Sequence, residues 1–258
     1  MNLLQRIWAS SLGKKYLMAL SGAAMVAFLV GHLVGNLQVF GPPELINKYA
    51  HFLKSEPILL WGARLGLLGV LAIHIASAVT LSVSNKSARP QGYLGGKAYG
   101  ASTASQYMLA SGSVIFAFVL YHLAHFTVLL PGINGVGDFS RLQTELHGEQ
   151  VADVYATMIL GFSVWWVSAF YLIAQALLFV HLSHGVAAMF QSLGFRNHVW
   201  WPRIQFLARA LSVALFVGFA SIPVSVFVFK MGADYAAKAK AKATIASVAF
   251  DAGKEVAR

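Results

Sequence analysis

Five long stretches of the amino-acid sequence contain no charged side chain, and they hold 28, 21, 40, 42 and 20 residues. A helix needs roughly 20 apolar residues to cross the hydrocarbon core of a bilayer, so each stretch is long enough for a crossing. The stretches lie between Lys15 and Glu44, Arg64 and Lys86, Lys97 and Asp138, Asp153 and Arg196, and Arg209 and Lys230. This pattern predicts an all-α, polytopic membrane protein with five transmembrane helices.

The composition of the 258-residue chain excludes an ordinary soluble enzyme. Only 11% of its residues are charged and 58% are hydrophobic, whereas soluble domains carry about 25% charged residues. The chain has no cysteine, so it cannot by itself form a disulfide scaffold or bind an iron–sulfur cluster through thiolates. Its net charge of +10 comes from basic residues that flank the spans, which indicates membrane topology rather than nucleic-acid binding.

We place the five spans at about residues 16–40, 58–83, 105–130, 164–190 and 205–229, within one membrane domain over residues 1–230. The fourth uncharged stretch is too long for one crossing and has no turn signal for two, so we expect an interfacial helix from about Gln150 before the fourth span. Trp165 and Trp166 would lie in the aromatic belt between them. Residues 231–258 form a low-complexity Ala/Lys tail, which is either a frayed helix or disordered.

Basic residues predict the orientation of the chain. With the N-terminus in the cytoplasm, nine basic residues of the flanking segments lie inside and four outside, as the positive-inside rule requires. The six basic residues at the C-terminal end would then lie outside, against the rule. We expect a multi-pass protein of the bacterial inner membrane with a cytoplasmic N-terminus.

Six of the nine histidines lie in apolar stretches: His32, His74, His122, His125, His181 and His184. A polar ring inside a membrane marks a functional site by default, although a single histidine can simply bond to a neighbouring helix. Four spans each carry at least one such histidine, and helix packing alone explains that less well.

The depths of four of these histidines form two layers. At about 1.5 Å per residue, His32 and His122 lie roughly 25 Å from the cytoplasmic ends of their spans. His74 and His181 lie about 15–18 Å from the same side. Two imidazoles at one depth, without carboxylates, suit the two axial positions of a low-spin b-type haem. The sequence therefore predicts a four-helix bundle that binds two b haems, with a fifth helix beside it.

Two further histidines share helix faces with the proposed ligands. His125 and His184 follow His122 and His181 by three residues. We assign ligation to His122 and His181, and contacts with haem propionates or a quinone to His125 and His184; the spacing allows a swap within either pair. No Asp or Glu lies inside a span, so the chain lacks the buried acid usual in proton pumps and ion-coupled transporters.

Several segments together carry a resemblance to a known family. They are GHLVGN (31–36), AHFL (50–53), IH (73–74), LSVSNKSARP (81–90), YHLAHF (121–126) and FVHLSHG (179–185). Over about residues 12–229 the chain resembles the single-chain, di-haem cytochrome b subunit of type B succinate:quinone oxidoreductases, which are succinate dehydrogenases or fumarate reductases.

The resemblance implies the ligands, cofactors and partners. His74 with His181 would hold the proximal haem, and His32 with His122 the distal haem. The partners would be a flavoprotein that oxidises succinate and an iron–sulfur subunit on the cytoplasmic face. Electrons would pass through the two b haems between that subunit and a membrane quinone, which we expect to be menaquinone. The chain alone is not expected to act on succinate.

The chain also departs from the family pattern. Some quinol-oxidising fumarate reductases have a glutamate two residues before the ligand of the fourth span, where this chain has Phe179. That replacement speaks against a proton path at this point. A carboxylate near the quinone would be Glu44 or Glu56, although neither matches a firm motif.

Two other functions are compatible with a chain of five spans that carries intramembrane histidines. The nearest alternative prediction is the di-haem cytochrome b subunit of another quinone-linked dehydrogenase, such as a hydrogenase or formate dehydrogenase; residues 85–90 favour the succinate enzyme. A small-solute transporter or channel is the rival from a different class. Arg89, before Pro90, is expected to contact the iron–sulfur subunit or a haem propionate; its alternative role is that of a solvated topology charge.

Overall fold

Long helices dominate the structure, a computed structural model that describes residues 2–88 and 103–256. Within these residues, five helices are long and apolar enough to cross a membrane. These spans are Ser11–Phe40, Pro57–Ser87, Met108–Val128, Trp165–Ser192 and Trp200–Phe227. The chain is therefore an all-α, multi-pass membrane protein, as predicted.

The described residues contain ten α-helices and two short strands. The helices are α1 Leu3–Ala9, α2 Ser11–Leu37, α3 Pro43–Ser55, α4 Pro57–Ser87, α5 Thr103–Gln106, α6 Met108–Leu123, α7 Val154–Ser163, α8 Trp165–Ser192, α9 Trp200–Phe227 and α10 Ala233–Val256. The strands are β1 Gln143–Leu146 and β2 Glu149–Ala152. Helix α2 ends in a 3₁₀ turn at Gln38–Phe40, and α6 ends in a π-helical turn at Ala124–Val128.

The spanning helices carry large apolar side chains on exposed faces. Leu65 and Leu68 on α4 are 62% and 60% exposed, and Leu207 on α9 is 62% exposed. A soluble protein rarely leaves such long apolar faces in water. Lipid tails solvate these faces in a membrane, where only the helical backbone satisfies its own hydrogen bonds.

The helix predicted before the fourth span is present as α7, but it begins later than predicted. Gln150 lies in β2 instead, and α7 begins at Val154, because the Asp153 carboxylate accepts a hydrogen bond from the Ala156 amide (2.9 Å) and caps the helix. The chain leaves helical geometry at Val164, and α8 starts at Trp165.

The backbone divides into two compact units. The first comprises Met1–His32, Ile58–Phe116 and Ala176–Val217, and the second comprises Leu33–Pro57, Ala117–Gln175 and Gly218–Arg258. In the second unit a buried cluster forms around Tyr155, Ile159, Phe162 and Tyr171. This cluster packs the short amphipathic elements of the unit together.

The second unit also contains a polar network at the start of α7. Asp153, which is 2% exposed, accepts hydrogen bonds from the Asn47 amide (3.1 Å) and the Tyr235 hydroxyl (2.9 Å). Tyr235 belongs to the first turn of α10, and Ala236 beside it is buried. Residues 233–256, part of the predicted tail, therefore form a helix whose first turns are packed against the rest of the unit.

Candidate functional site: paired histidines in the spanning helices

Two of the predicted haem ligands, His74 on α4 and His181 on α8, belong to the first unit. Both rings are half-buried, and they lie close enough for electrostatic interaction. The sequence predicted that these two residues share a depth. In the structure they also lie in one compact unit, which contains His32 as well, whereas His122 lies in the other unit.

The ring of His74 is oriented by helix α2. Its Nδ1 atom lies 3.2 Å from the Met18 carbonyl oxygen and 3.3 Å from Ser21 Oγ. A carbonyl oxygen only accepts hydrogen bonds, so Nδ1 carries the proton. The Ser21 hydroxyl donates its own proton to the Leu17 carbonyl oxygen (2.7 Å) and is left as an acceptor. The lone pair of His74 is therefore on Nε2.

His181 has the same arrangement with helix α6. Its Nδ1 atom lies 3.1 Å from Ser111 Oγ, and the Ser111 hydroxyl donates to the Met108 carbonyl oxygen (3.2 Å). If the Ser111 hydroxyl keeps that bond, Nδ1 of His181 donates to the serine oxygen and Nε2 carries the lone pair, as in His74. A neutral imidazole whose Nδ1–H is held by a second group is the form that binds a metal through Nε2.

A glycine follows each of the two serines and lies beside the ring. A Cβ atom on Gly22 would lie 3.5 Å from Cε1 of His74, and one on Gly112 would lie 3.5 Å from Cε1 of His181. The serine–glycine pair is therefore used twice, once for each ring. It forms one side of the site and leaves Nε2 of each ring without a hydrogen bond to any residue that the structure describes.

Sequence reasoning missed these serine–glycine pairs, although a signal was present. Ser21-Gly22 precedes His32 with nine residues between, and Ser111-Gly112 precedes His122 with the same nine. The first and third spans thus repeat the pattern Ser-Gly-x9-His. Each of these spans supplies a proposed ligand and, about 16 Å along the helix, the group that orients a histidine of another span.

His122, His125 and Tyr171 form a second cluster, within the second unit. The Tyr171 hydroxyl lies 3.3 Å from Nδ1 of His122 and 3.1 Å from Nδ1 of His125. A hydroxyl has one proton to donate, so it donates to one ring and accepts from the other. If Tyr171 donates to His125, the Nδ1–H of His122 donates to Tyr171, and Nε2 of His122 carries the lone pair.

His125 is enclosed by protein. It is 0% exposed, lies in the π-helical turn that ends α6, and stacks on Phe126 with ring centroids 4.0 Å apart. Gly161 of α7 closes over its Nε2 edge, where a Cβ would lie 3.1 Å from Nε2. That atom has no hydrogen-bond partner among the described residues. The position suits a residue that orients Tyr171 better than one that reaches a cofactor.

The remaining predicted residues lie in different parts of the chain. His32 on α2 stacks on Phe28, with ring centroids 5.2 Å apart. His184, half-buried on α8, lies one turn beyond His181 and lines a cleft. Glu44, in the first turn of α3, and Glu56, which follows its last residue, are both exposed. Arg89 lies outside the described residues.

The donor set fits an axially ligated haem. The described residues contain no cluster of three or more histidine or acidic side chains able to chelate a metal ion directly. A haem needs only two ligands from the protein, because the macrocycle supplies the other four. His74 and His181, each with Nδ1 held and Nε2 bearing a lone pair, provide the donor atoms that a bis-histidine b haem takes.

Comparisons of the chain with protein-family models, with curated proteins and with solved structures find no match. We therefore infer the function from the residues and geometry of this chain.

Proposed function

We propose that the chain is the membrane-anchoring cytochrome b subunit of a succinate dehydrogenase or fumarate reductase. It binds two b haems and carries electrons between an iron–sulfur partner and a membrane quinone. The observation that carries the proposal is the matched orientation of His74 and His181, each held at Nδ1 by a serine of another span. A purely structural histidine does not need a fixed tautomer that leaves Nε2 free.

Each residue of the pair has a distinct task. A bound b haem supplies a one-electron carrier in the low-dielectric interior. His74 and His181 would hold the haem iron through Nε2, while Ser21 and Ser111 fix the ring planes and would increase the basicity of Nε2 by accepting a hydrogen bond from Nδ1–H. Gly22 and Gly112 keep the space beside the rings free of side chains.

The second haem would be held by His32 and His122, for which the sequence predicts the same depth in the membrane. Tyr171 supports this assignment, because its hydroxyl provides His122 with the Nδ1 partner that Ser111 provides for His181. Two haems at two depths would give an electron path across the membrane. On this account His74 and His181 lie nearer the cytoplasm, the N-terminus is cytoplasmic, and the membrane is the bacterial inner membrane.

The partner subunits are inferred from the absence of cysteine in the sequence. The chain has no cysteine for an iron–sulfur cluster, so electrons must come from or go to another subunit. We assign these roles to a flavoprotein and an iron–sulfur subunit docked on the cytoplasmic side, and to menaquinone in the lipid phase.

Paired loss of haem tests the ligation. In the purified complex, His74→Ala and His181→Ala should each remove the same haem, recognised by its midpoint potential, since each iron needs both imidazoles. His32→Ala and His122→Ala should each remove the other haem. His51→Ala is the control: His51 is exposed on α3, 3.8 Å from Glu149, and its loss should leave both haems. Loss of different haems from His74→Ala and His181→Ala would refute the pairing.

The electron donor tests the identity of the complex. In membranes that contain the whole complex, succinate should reduce the b haems, and the reduced haems should be reoxidised by fumarate or a menaquinone analogue. Reduction by hydrogen or formate, without reduction by succinate, would assign the chain to another dehydrogenase.

A further inference from the structure

A polar cleft lies within the first unit, between α8 and α9. Its volume is about 410 Å³, and its lining includes His184, Gln191, Arg196, Trp201, Gln205 and Arg209. No acidic side chain occurs among the described residues that line it. Two guanidinium groups therefore face a shared space without a carboxylate of their own, and the cleft is suited to an anionic group.

Arg209 is the deepest charge of the cleft. Helix α9 begins with Trp200 and Trp201, and tryptophan is enriched at the membrane interface. Arg209 lies eight residues beyond Trp201, which is about 12 Å along the helix. Within residues 2–88 and 103–256 it forms no ion pair. A charge at this depth is unfavourable without a counter-charge. We therefore expect Arg209 to be paired with an anion that extends into the membrane.

The cleft begins one helical turn from a proposed haem ligand. His184 lines it, and His184 follows His181 by three residues, or about 4.5 Å along α8. The two rings are near enough to interact electrostatically. A b haem carries two carboxylates, its propionates, on one edge of the macrocycle. If that edge points from the iron along α8 towards His184, the propionates lie in the cleft.

We propose that the cleft receives the propionates of the haem that His74 and His181 bind, with Arg209 and His184 as their contacts. The inference rests on the proposed function and adds the anionic end of the cofactor to it. A guanidinium forms two parallel hydrogen bonds with a carboxylate, and Gln205 lies one turn before Arg209 on the same helix. Arg196 packs over the Trp201 ring, 4.9 Å from its centroid, and borders the cleft nearer the helix end.

A phospholipid phosphate is the other anion available to a membrane protein, since basic pockets between spans bind acidic headgroups. Phosphates lie at the headgroup level, outside the tryptophan belt. Arg209 is about 12 Å deeper than Trp201, beyond the depth of a headgroup. The depth of Arg209 therefore favours the propionate.

The test replaces Arg209 in the whole complex and measures the haems and the lipid. We expect Arg209→Gln to lower the midpoint potential of the haem of His74 and His181, because the uncompensated propionate stabilises the ferric state. A tenfold change in the reduction equilibrium is about 59 mV for one electron, and we expect a shift of this order. The propionate bending band in the resonance Raman spectrum should shift as well. Arg203→Gln is the matched control, since Arg203 lies on α9 over Trp200 and does not line the cleft.

Each outcome of this test either supports the propionate assignment or overturns it. Arg209→Lys keeps the charge and should shift the potential less than Arg209→Gln; it replaces Arg209→Gln if that variant does not assemble. An unchanged potential and Raman band in a complex that retains both haems would overturn the propionate assignment and leave the haem proposal intact. A fall in bound phospholipid phosphate with unchanged haem would make the cleft a lipid site. Wild-type complex without haem would refute the proposed function itself.

Discussion

Ser21 and Ser111 are buried serines in spanning helices, and both meet an imidazole rather than another helix backbone. Serine in a helix usually bonds only to a carbonyl of the preceding turn. These two do so as well, which uses their proton and leaves the oxygen to accept from histidine. At the scale of the residue, a serine hydroxyl thus helps to determine which ring nitrogen carries the lone pair.

We expect Ser111→Ala to retain both haems and to raise the midpoint potential of the haem bound by His181. Without the serine oxygen, Nδ1–H has a weaker acceptor, Nε2 becomes less basic, and the ferric iron is stabilised less. Ser113→Ala is the control, because the Ser113 hydroxyl bonds only to the Leu109 carbonyl oxygen. Optical redox titration of both variants measures the effect. A potential equal to that of wild type would show that Ser111 does not tune the ligand.

Tyr171→Phe should disturb the haem of His122 selectively. The change leaves the Nδ1 atoms of His122 and His125 without the hydroxyl that joins them, and an unpaired buried polar group costs about 1–3 kcal/mol. Tyr121→Phe is the control, since the Tyr121 hydroxyl donates to the Ile133 carbonyl oxygen (2.9 Å). Haem spectra at rising temperature should show earlier loss of one haem in Tyr171→Phe. Equal loss of both haems, or none, would contradict this role.

The sequence predicts the histidines of the site better than their partners. Charge-free stretches make an intramembrane imidazole conspicuous, and the axial rise of a helix is enough to place His74 and His181 at one depth. Ser111 and Tyr171 give no such signal, because serine and tyrosine occur throughout spanning helices. Their roles depend on rotation about the helix axis and on side-chain torsions, and neither is determined by depth.

At the scale of the element, α10 shows how a polar network orders a low-complexity segment. Lysine and alanine alternate over residues 237–243, a composition that gives little apolar surface to bury. The helix is fixed at its start, where Tyr235 donates to the buried Asp153 carboxylate and Ala236 is enclosed. Burial, together with the Asp153 charge, raises the pKa of Tyr235 to about 12, so the hydroxyl remains a donor at neutral pH.

Tyr235→Phe should therefore loosen α10 without affecting the haems. Loss of a hydrogen bond to a charged group costs about 1.5–3 kcal/mol, and tryptic cleavage after Lys238, Lys240 and Lys242 should become faster. Tyr107→Phe, at a residue that is 59% exposed, provides the control. The same rate of cleavage in Tyr235→Phe as in wild type would mean that other contacts hold the helix.

The elements outside the spans were the hardest to predict. The hairpin of β1 and β2 has only four residues in each strand, and its two-residue turn is His147-Gly148, with φ of 52° and 87°. Histidine is not a usual residue for the first position of such a turn, so the sequence pattern did not suggest one. Helix α3 likewise has no counterpart among the predicted elements, because its 13 residues are too few and too polar to stand out beside the spans.

At the scale of the whole molecule, the uncharged stretches predict the architecture well. A helix that crosses a bilayer must be apolar over its whole length, and this requirement allows few alternatives. Span ends are less certain: α9 begins at Trp200, five residues before the predicted start, and it includes Arg203 and Arg209. A charge near a helix end does not stop the helix, since a long basic side chain such as that of Arg203 reaches back towards the interface.

The central claim is that this chain is a di-haem cytochrome b, and the haem content of the purified protein tests it most directly. A pyridine haemochrome assay, set against protein determined by amino-acid analysis, should give two b haems per chain, and the dithionite-reduced protein should show the α band of a low-spin, bis-histidine haem. One haem per chain would refute the second pair, His32 with His122. A purified, folded chain without a Soret band would contradict the whole account.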